Sequence, residues 1–250
     1  RVQGKGHGGA CVGGLAVSAP GMSLLSVGMD DKAMWTPLPA EQYAAQQLPL
    51  AGAPLGVSLA ADGQTAAVAT AKGIQLLVGD RLASTTPTTY DPSCVSVSPA
   101  GNEVVVGGSD MKVHVYAVEA GALRESATLE KHRGAVTCVE YSPDGSMIAS
   151  SDSNREIVVW DSATKEVKKS KMVFHNARVQ CLAWSPDSAL LASGSLDMSV
   201  IVWPMDKGES ARITTPRAHT EGVTRLTFTD ATTLVSAGAD ACLRVWSVSV

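Results

Sequence analysis

The chain has 250 residues, 45% of them hydrophobic and 18% charged, with a formal net charge of −4 and a pI near 5.7. This acidic balance argues against the basic surface that holds a nucleic-acid backbone or an anionic membrane. No run approaches the ~20 apolar residues that span a bilayer, and the opening RVQGKGHGG lacks the apolar core of a secretion signal. Neither a nucleic-acid nor a membrane partner is therefore expected.

One turn pattern recurs along the chain and divides it into repeats. It is clearest in SPDG at 142–145, and related turns begin at 18, 60, 98, 185 and 229, with 38 to 44 residues between consecutive starts. Alternating or β-branched runs flank each turn, and they predict strands rather than helices. The spacing suits units of four short strands. Six repeats are expected, at about 7–43, 44–82, 83–127, 128–170, 171–214 and 215–250.

A set of four side chains also recurs: a histidine, a serine 17 to 19 residues later, an aspartate four residues after that, and an aromatic residue six residues further on. Repeat one offers three members, His7, Ser26 and Asp30, but its Trp35 comes one residue early. Repeat two keeps only its turn and strands. Repeat three keeps Asp110 and Tyr116 without the histidine or the serine.

The last three repeats hold the set more completely. Repeat four has His132, Ser150 and Trp160, with Asn154 in the aspartate position. Repeats five and six carry the whole set, as His175, Ser193, Asp197 and Trp203, and as His219, Ser236, Asp240 and Trp246. Serine, histidine and aspartate together resemble a hydrolase triad, but an enzyme builds one such site, and no GxSxG elbow accompanies any copy. The repetition favours a structural role, with no catalytic residue.

Other candidate sites are weaker. The glycine-rich GKGHGG at 4–9 lacks the GxxxxGK[ST] spacing of a phosphate-binding loop. The five cysteines form no CxxC pair and have no histidine at metal-ligand spacing, so neither a disulfide framework nor a metal site is expected. A reducing compartment such as the cytosol fits this cysteine usage.

A run of lysines, KEVKKSKM, lies in repeat four. Its members are Lys165, Lys168, Lys169 and Lys171. Charged side chains often protect the exposed edge of a sheet, and this is the favoured interpretation. The alternative is a basic patch that meets an acidic protein partner.

The period and the four-residue set together resemble those of the WD40 β-propeller. The resemblance implies an all-β fold of four-stranded blades. It also implies that each set is a hydrogen-bonded series from the tryptophan N–H through serine and histidine to aspartate. Residues 1–6 could supply the outer strand of the last blade and close a six-bladed ring. They fit equally well in an upstream blade, which would make this chain most of a seven-bladed ring.

The amino-acid sequence of the repeats, beyond the shared pattern, is similar to that of the C-terminal propeller of the actin-interacting protein 1 family. The resemblance covers essentially all 250 residues and includes VGMDDKAMWTPL, VSVSPAGNEVVVGGSDMKVHVYAV and CLAWSPDSALLASGSLDMSVIVW. It implies two seven-bladed propellers in tandem, so that an N-terminal propeller and one blade would lie outside this chain.

The family resemblance also implies a function. The expected protein is a non-enzymatic monomer without a cofactor, located in the cytoplasm on the actin cytoskeleton. Its expected partners are actin filaments and ADF/cofilin, with which it would promote filament severing, disassembly and end capping. A general WD40 scaffold or substrate-receptor propeller is the alternative. An enzyme would need polar residues that depart from the repeat and converge on one place, and the sequence shows no such set.

Overall fold

A computed structural model describes residues 7–8, 10–18, 22–38 and 47–249. Twenty-three β-strands in six antiparallel sheets fill these ranges, and the only helical segment within them is a 3-10 turn at Glu209–Ala211. The predicted all-β fold of propeller blades is confirmed. Residues 1–6, most of GKGHGG, and the turn of repeat one after Ser18 lie outside the described residues. Among the described residues, no helix has the length and apolar character that crossing a membrane requires.

The chain divides into two compact units, Arg1–Thr128 and Leu129–Val250. Three sheets belong to the first unit. The first contains β1 (Val12–Ser18), β2 (Ser23–Gly28), β3 (Lys32–Pro37) and β4 (Gln47–Pro49). The second contains β5 (Pro54–Leu59), β6 (Thr65–Thr70), β7 (Gly73–Val78) and β8 (Arg81–Thr86). The third contains β9 (Pro92–Val97), β10 (Glu103–Gly108), β11 (Lys112–Glu119) and β12 (Ala122–Glu130).

The second unit also has three sheets. The fourth sheet contains β13 (Val136–Tyr141), β14 (Met147–Asp152), β15 (Ile157–Asp161) and β16 (Val167–Met172). The fifth contains β17 (Val179–Trp184), β18 (Leu190–Ser195), β19 (Val200–Pro204) and β20 (Ile213–Thr215). The sixth has three strands, β21 (Val223–Phe228), β22 (Thr233–Gly238) and β23 (Leu243–Ser247).

The two middle strands of the fourth and fifth sheets are almost wholly buried, and the fifth sheet packs between the fourth and the sixth. All six residues of β18 are buried, and β14 is buried throughout as well. Within the second unit, Ile157 and Val159 of the fourth sheet share a core with Leu191 and Ile201 of the fifth. The indole Nε1 of Trp184 also donates across these two sheets to a backbone carbonyl, at 3.2 Å. Apolar burial of this kind is the main stabilising contribution to such sheets.

The first strand of every sheet contains a register shift where it pairs with its neighbour, as at Val136/Cys138 and Val179/Cys181. Three others lie at Val12/Gly14, Pro54/Gly56 and Val223/Arg225. In the third sheet the extra residue of β9 lies between Pro92 and Cys94, opposite Gly107/Gly108 of β10. A bulge adds local twist and re-aims the side chains that follow it. In the first, fourth, fifth and sixth sheets, the bulge lies at the same end of the sheet as the histidine of the recurring set.

Candidate functional site

The fifth sheet shows the complete set in its hydrogen-bonded form. The indole Nε1 of Trp203 donates to Ser193 Oγ at 2.9 Å, and Ser193 Oγ lies 2.8 Å from His175 Nε2. The other ring nitrogen, Nδ1, lies 3.1 Å from Asp197 Oδ2. Ser193 is fully buried, and His175 is 1% exposed. Each buried polar atom of the series therefore has a partner, as buried polar groups require.

The sixth sheet repeats this geometry. Trp246 Nε1 donates to Ser236 Oγ at 2.8 Å, Ser236 Oγ lies 2.7 Å from His219 Nε2, and His219 Nδ1 donates to Asp240 Oδ1 at 2.8 Å. The Asp240 carboxylate also accepts the backbone N–H of Thr220 at 3.0 Å. The set thus ties the loop before β21 to the β22–β23 hairpin.

In the first sheet the histidine, the serine and the aspartate of the set are joined. His7 Nδ1 donates to Asp30 Oδ1 at 2.8 Å, and His7 Nε2 lies 3.0 Å from Ser26 Oγ. Thr36 occupies the position of the tryptophan and is fully buried, whereas Trp35 lies in the apolar core.

The fourth sheet differs from the sequence prediction. Trp160 Nε1 donates to Ser150 Oγ at 2.8 Å, and Ser150 Oγ lies 2.6 Å from His132 Nε2. Asn154, however, does not take the aspartate role: its side-chain amide donates to the Arg133 carbonyl at 3.1 Å. The carboxylate that faces His132 Nδ1 belongs to Asp152, at 3.3 Å. The aspartate position of this set has therefore moved by two residues.

The first and sixth sheets show why an aspartate two residues earlier can face the histidine ring. Gly28 and Gly238 occupy the position that Asp152 holds, two residues after the serine. A side chain added at either glycine would collide with the histidine Nδ1 and the aspartate carboxylate. The space between ring and carboxylate is therefore reachable from this position, and in the fourth sheet Asp152 fills it directly.

The third sheet has a different polar network, which the sequence did not predict. The ring of Tyr90 stacks on that of His114 with 3.7 Å between centroids, and its hydroxyl lies 2.8 Å from the Tyr116 hydroxyl. His114 lies between two carboxylates, with Nδ1 2.7 Å from Glu125 and Nε2 3.1 Å from Asp110. The histidine comes from strand β11 rather than from the loop before β9, so the repeat spacing could not reveal it.

The second sheet contains no histidine. The side-chain oxygen of buried Gln75 accepts the backbone N–H of Ala51 at 2.9 Å. Thr70 Oγ1 donates to the Gly73 carbonyl at 2.9 Å across the β6–β7 turn. These are local contacts, and they leave most of the sheet to apolar packing.

Hydrogen bonding stabilises the charged form of Asp197 and Asp240. Burial alone would raise the pKa of Asp197, but bonds from His175, Ser199 and the backbone of Asn176 outweigh it and hold the pKa well below the usual range. The backbone N–H of Thr220, together with His219, lowers the pKa of Asp240 in the same way. Both aspartates are therefore ionised acceptors at neutral pH.

The lysine run lies along the outer strand of the fourth sheet. Lys168 and Lys171 are exposed on β16, while Lys165 lies in the turn before it with φ of 63°. Lys169 instead contacts the fifth sheet, where its Nζ donates to the carbonyl oxygens of Pro204 and Lys207. The four lysines are therefore not one surface, and Lys169 connects two blades.

The chain matches the family described as "WD domain, G-beta repeat" over residues 123–161, 167–204 and 210–247. It is 39% identical over 228 residues to the 66 kDa stress protein of Physarum polycephalum, covering 91% of this chain and 38% of that protein. It is 41% identical to Actin-interacting protein 1-2 of Arabidopsis thaliana over 175 residues, or 70% of this chain and 29% of that protein.

A third relative aligns along nearly the whole chain. Actin-interacting protein 1 of Drosophila melanogaster is 32% identical over 250 residues, which is 99% of this chain and 40% of that protein. The chain thus spans at most about two fifths of the length of these relatives.

Proposed function

We propose that this chain, a WD40-repeat protein related to the actin-interacting protein 1 family, belongs to a protein that binds actin filaments with ADF/cofilin and promotes severing, disassembly and end capping. The observation that carries the proposal is the alignment of 99% of the chain with a relative named for its interaction with actin. We place the protein in the cytoplasm on the actin cytoskeleton, as a monomer. An N-terminal propeller and a further blade complete it, and the repeat bounds given above are part of this proposal.

The protein is proposed to act without catalysis. The serine of each complete set is fully buried and is bonded to both an indole N–H and a histidine ring, as Ser193 and Ser236 illustrate. A serine nucleophile needs an exposed Oγ and a neighbouring oxyanion site. The sets suit the support of blades, which leaves binding to exposed loops and edges.

Differential binding supplies a physical mechanism. A protein that grips a cofilin-decorated filament better than a bare one shifts the filament towards the decorated, more easily broken state. Its effect cannot exceed the difference between its two affinities, so cofilin dependence is the diagnostic property.

Filament pelleting and severing, with and without cofilin, test the proposal. The full-length protein is expected to pellet with decorated filaments and shorten them, and to do neither with bare ones. The 250-residue chain alone is expected to bind more weakly, because it spans only part of its relatives. A full-length protein that changes neither filament length nor cofilin-dependent pelleting would refute the actin proposal and favour the WD40 scaffold.

Lys168 and Lys171 are the proposed contact residues on this chain, because both are exposed on one strand and carry the charge that an acidic partner would recognise. The double change Lys168→Glu and Lys171→Glu is expected to weaken pelleting with decorated filaments, increasingly so at low salt. Lys72→Glu, at another exposed position, is the matched control. Equal pelleting of both variants would assign the lysines to edge protection alone.

A further inference from the structure

The fourth sheet contains a buried histidine nitrogen without the partner that its counterparts have. His132 is 8% exposed, and no described residue forms a hydrogen bond with its Nδ1. In the fifth and sixth sheets the same ring atom lies 3.1 Å from Asp197 and 2.8 Å from Asp240, in hydrogen-bonding geometry. A buried polar atom without a hydrogen bond is destabilising, and a further ligand beside this nitrogen would satisfy it.

Two carboxylates lie near this nitrogen. Asp152 Oδ2 lies 3.3 Å from His132 Nδ1 with both side chains fully shielded from solvent, but the geometry is not that of a hydrogen bond. Glu156 is half-buried beside them, and one donor atom from each of the three residues lies within 4.8 Å of the other two. At the position of Glu156 the fifth sheet has Ser199 and the sixth has Cys242, so this concentration of carboxylates distinguishes the fourth sheet.

The hydrogen bonds at the far side of the ring leave Nδ1 free to act as a ligand. Ser150 Oγ accepts the indole N–H of Trp160 at 2.8 Å, and the Val158 carbonyl lies 3.4 Å away as an acceptor for its own proton. Ser150 can therefore also accept the Nε2–H of His132, at 2.6 Å. This tautomer directs the Nδ1 lone pair at the carboxylates. Metal-bound histidines characteristically donate their other ring N–H in this way.

We propose that His132, Asp152 and Glu156 bind a divalent transition-metal ion, with Zn²⁺ as the preferred ion and a water or partner side chain as its fourth ligand. Donors at 2.0–2.1 Å from a tetrahedral zinc are separated from each other by about 3.3–3.4 Å. The observed separation of His132 Nδ1 and Asp152 Oδ2 matches this. Two carboxylates also balance the charge of the ion, and the imidazole favours zinc over Mg²⁺ or Ca²⁺, which select oxygen ligands.

The aspartate is already held in place for this role. Its Oδ1 accepts the backbone N–H of Glu156 at 2.8 Å, and its Oδ2 accepts that of Arg133 at 3.3 Å. Only the Glu156 side chain has to adjust, and it is the most exposed of the three. The sequence gives no sign of the site, because the three ligands lie at positions 132, 152 and 156 and include no second histidine or cysteine.

Titration calorimetry with ZnCl₂ on the EDTA-treated chain tests the proposal. One equivalent is expected to bind, and Glu156→Gln is expected to weaken binding at least about tenfold, since even outer-shell changes cost metal sites 10–100-fold. Glu156→Gln keeps the size of a half-buried side chain, so the fold is expected to survive. Glu166→Gln, in the exposed turn after β15, is the matched control and is expected to bind like the unaltered chain.

Substitution with Co²⁺ identifies the ligands independently, because the exposed Cys11 and Cys242 could also attract zinc. The proposed nitrogen and oxygen ligands are expected to give visible d–d bands without thiolate charge-transfer absorption. Equal zinc affinity of the unaltered chain and Glu156→Gln, or a cobalt spectrum with strong thiolate absorption, would overturn the proposal.

Discussion

At the scale of single residues, the aspartate of a complete set binds backbone N–H groups as well as the histidine ring. The Asp197 carboxylate accepts the backbone N–H of Asn176 at 2.6 Å and that of Ser199 at 2.9 Å, besides contacting His175. It therefore joins the loop before β17 to the β18–β19 turn. A carboxylate can do this because it offers about four lone-pair sites to donors.

Asp197→Ala is expected to lower the free energy of unfolding by about 1–3 kcal/mol, because it leaves buried donors without their acceptor. Ser199 Oγ lies 3.1 Å from His175 Nδ1 and can partly replace the carboxylate, which favours the lower half of that range. Urea unfolding measures the change.

The matched control is Asp206→Ala, an exposed aspartate outside the sets, which is expected to shift stability by no more than about 0.5 kcal/mol. If the two variants had equal stability, Asp197 would contribute nothing as a junction.

The sequence could predict the histidine, serine and tryptophan of the fourth set because their spacing repeats. It could not predict that Asp152 would replace Asn154, since this depends on a side chain two residues away reaching the same space. The position is occupied by glycine in the first and sixth sheets, and only the folded geometry shows that a carboxylate there can face the ring.

At the scale of elements, the sheets with and without a histidine set are stabilised differently. In the fifth sheet the set crosslinks the loop, β18 and β19 through side chains. The second sheet depends on apolar packing, and three of the six residues of β6 are alanines, which bury little area each. The alternation of apolar residues in the sequence predicted both sheets equally well, because this pattern indicates which side chains are buried and not which of them form hydrogen bonds between strands.

Hydrogen exchange is expected to be faster for the amides of β6 and β7 than for those of β18 and β19. Exchange from central strands reports local opening, and fewer side-chain crosslinks make opening easier. Mass spectrometry of peptides from the two sheets makes the comparison within one sample. Slower exchange in β6 and β7 would mean that apolar packing alone outweighs the histidine set.

At the scale of the whole chain, aspartates with lowered pKa values make the fold sensitive to acid. Bonds from Ser142 and Ser146 outweigh the effect of burial and lower the pKa of Asp144 to about 2, and Asp197 is shifted in the same direction. A carboxyl group whose pKa is lower in the folded state stabilises the fold above its unfolded pKa. That stability is lost as the pH falls below about 4.

Glu140 has the opposite shift. Burial raises its pKa to about 7, although Arg225 partly opposes this. The folded state then binds a proton more tightly than the unfolded state, so stability decreases as the pH rises from about 4.5 to 7.

Melting temperatures are accordingly expected to fall steeply below about pH 4 and to decline gently between pH 5 and 8. Glu140→Gln is expected to remove the gentle decline and keep the acid transition. If Glu140→Gln and the unaltered chain showed the same change of melting temperature between pH 5 and 8, the pKa of Glu140 would not be raised.

The family resemblance was the most specific prediction made from the sequence. Relatives named Actin-interacting protein 1 confirm it. The WD-repeat matches at 123–161, 167–204 and 210–247 agree with it. The other buried polar contacts, such as the stacked pair of Tyr90 and His114, involve residues outside the repeated positions. The spacing of the repeat therefore could not predict them.

In the part of the chain that the structure describes, the sixth sheet has one strand fewer than each of the other five, which leaves one of its edges open to another strand. Among the described strands, β23 pairs only with β22, and its Leu243 and Val245 are 75% and 71% exposed. An apolar edge of unpaired backbone groups is a template for another strand. Arg244, the only charged residue of β23, donates to the Ala218 carbonyl and the Asp240 carboxylate. Another strand that pairs with β23 is therefore expected to cover this edge.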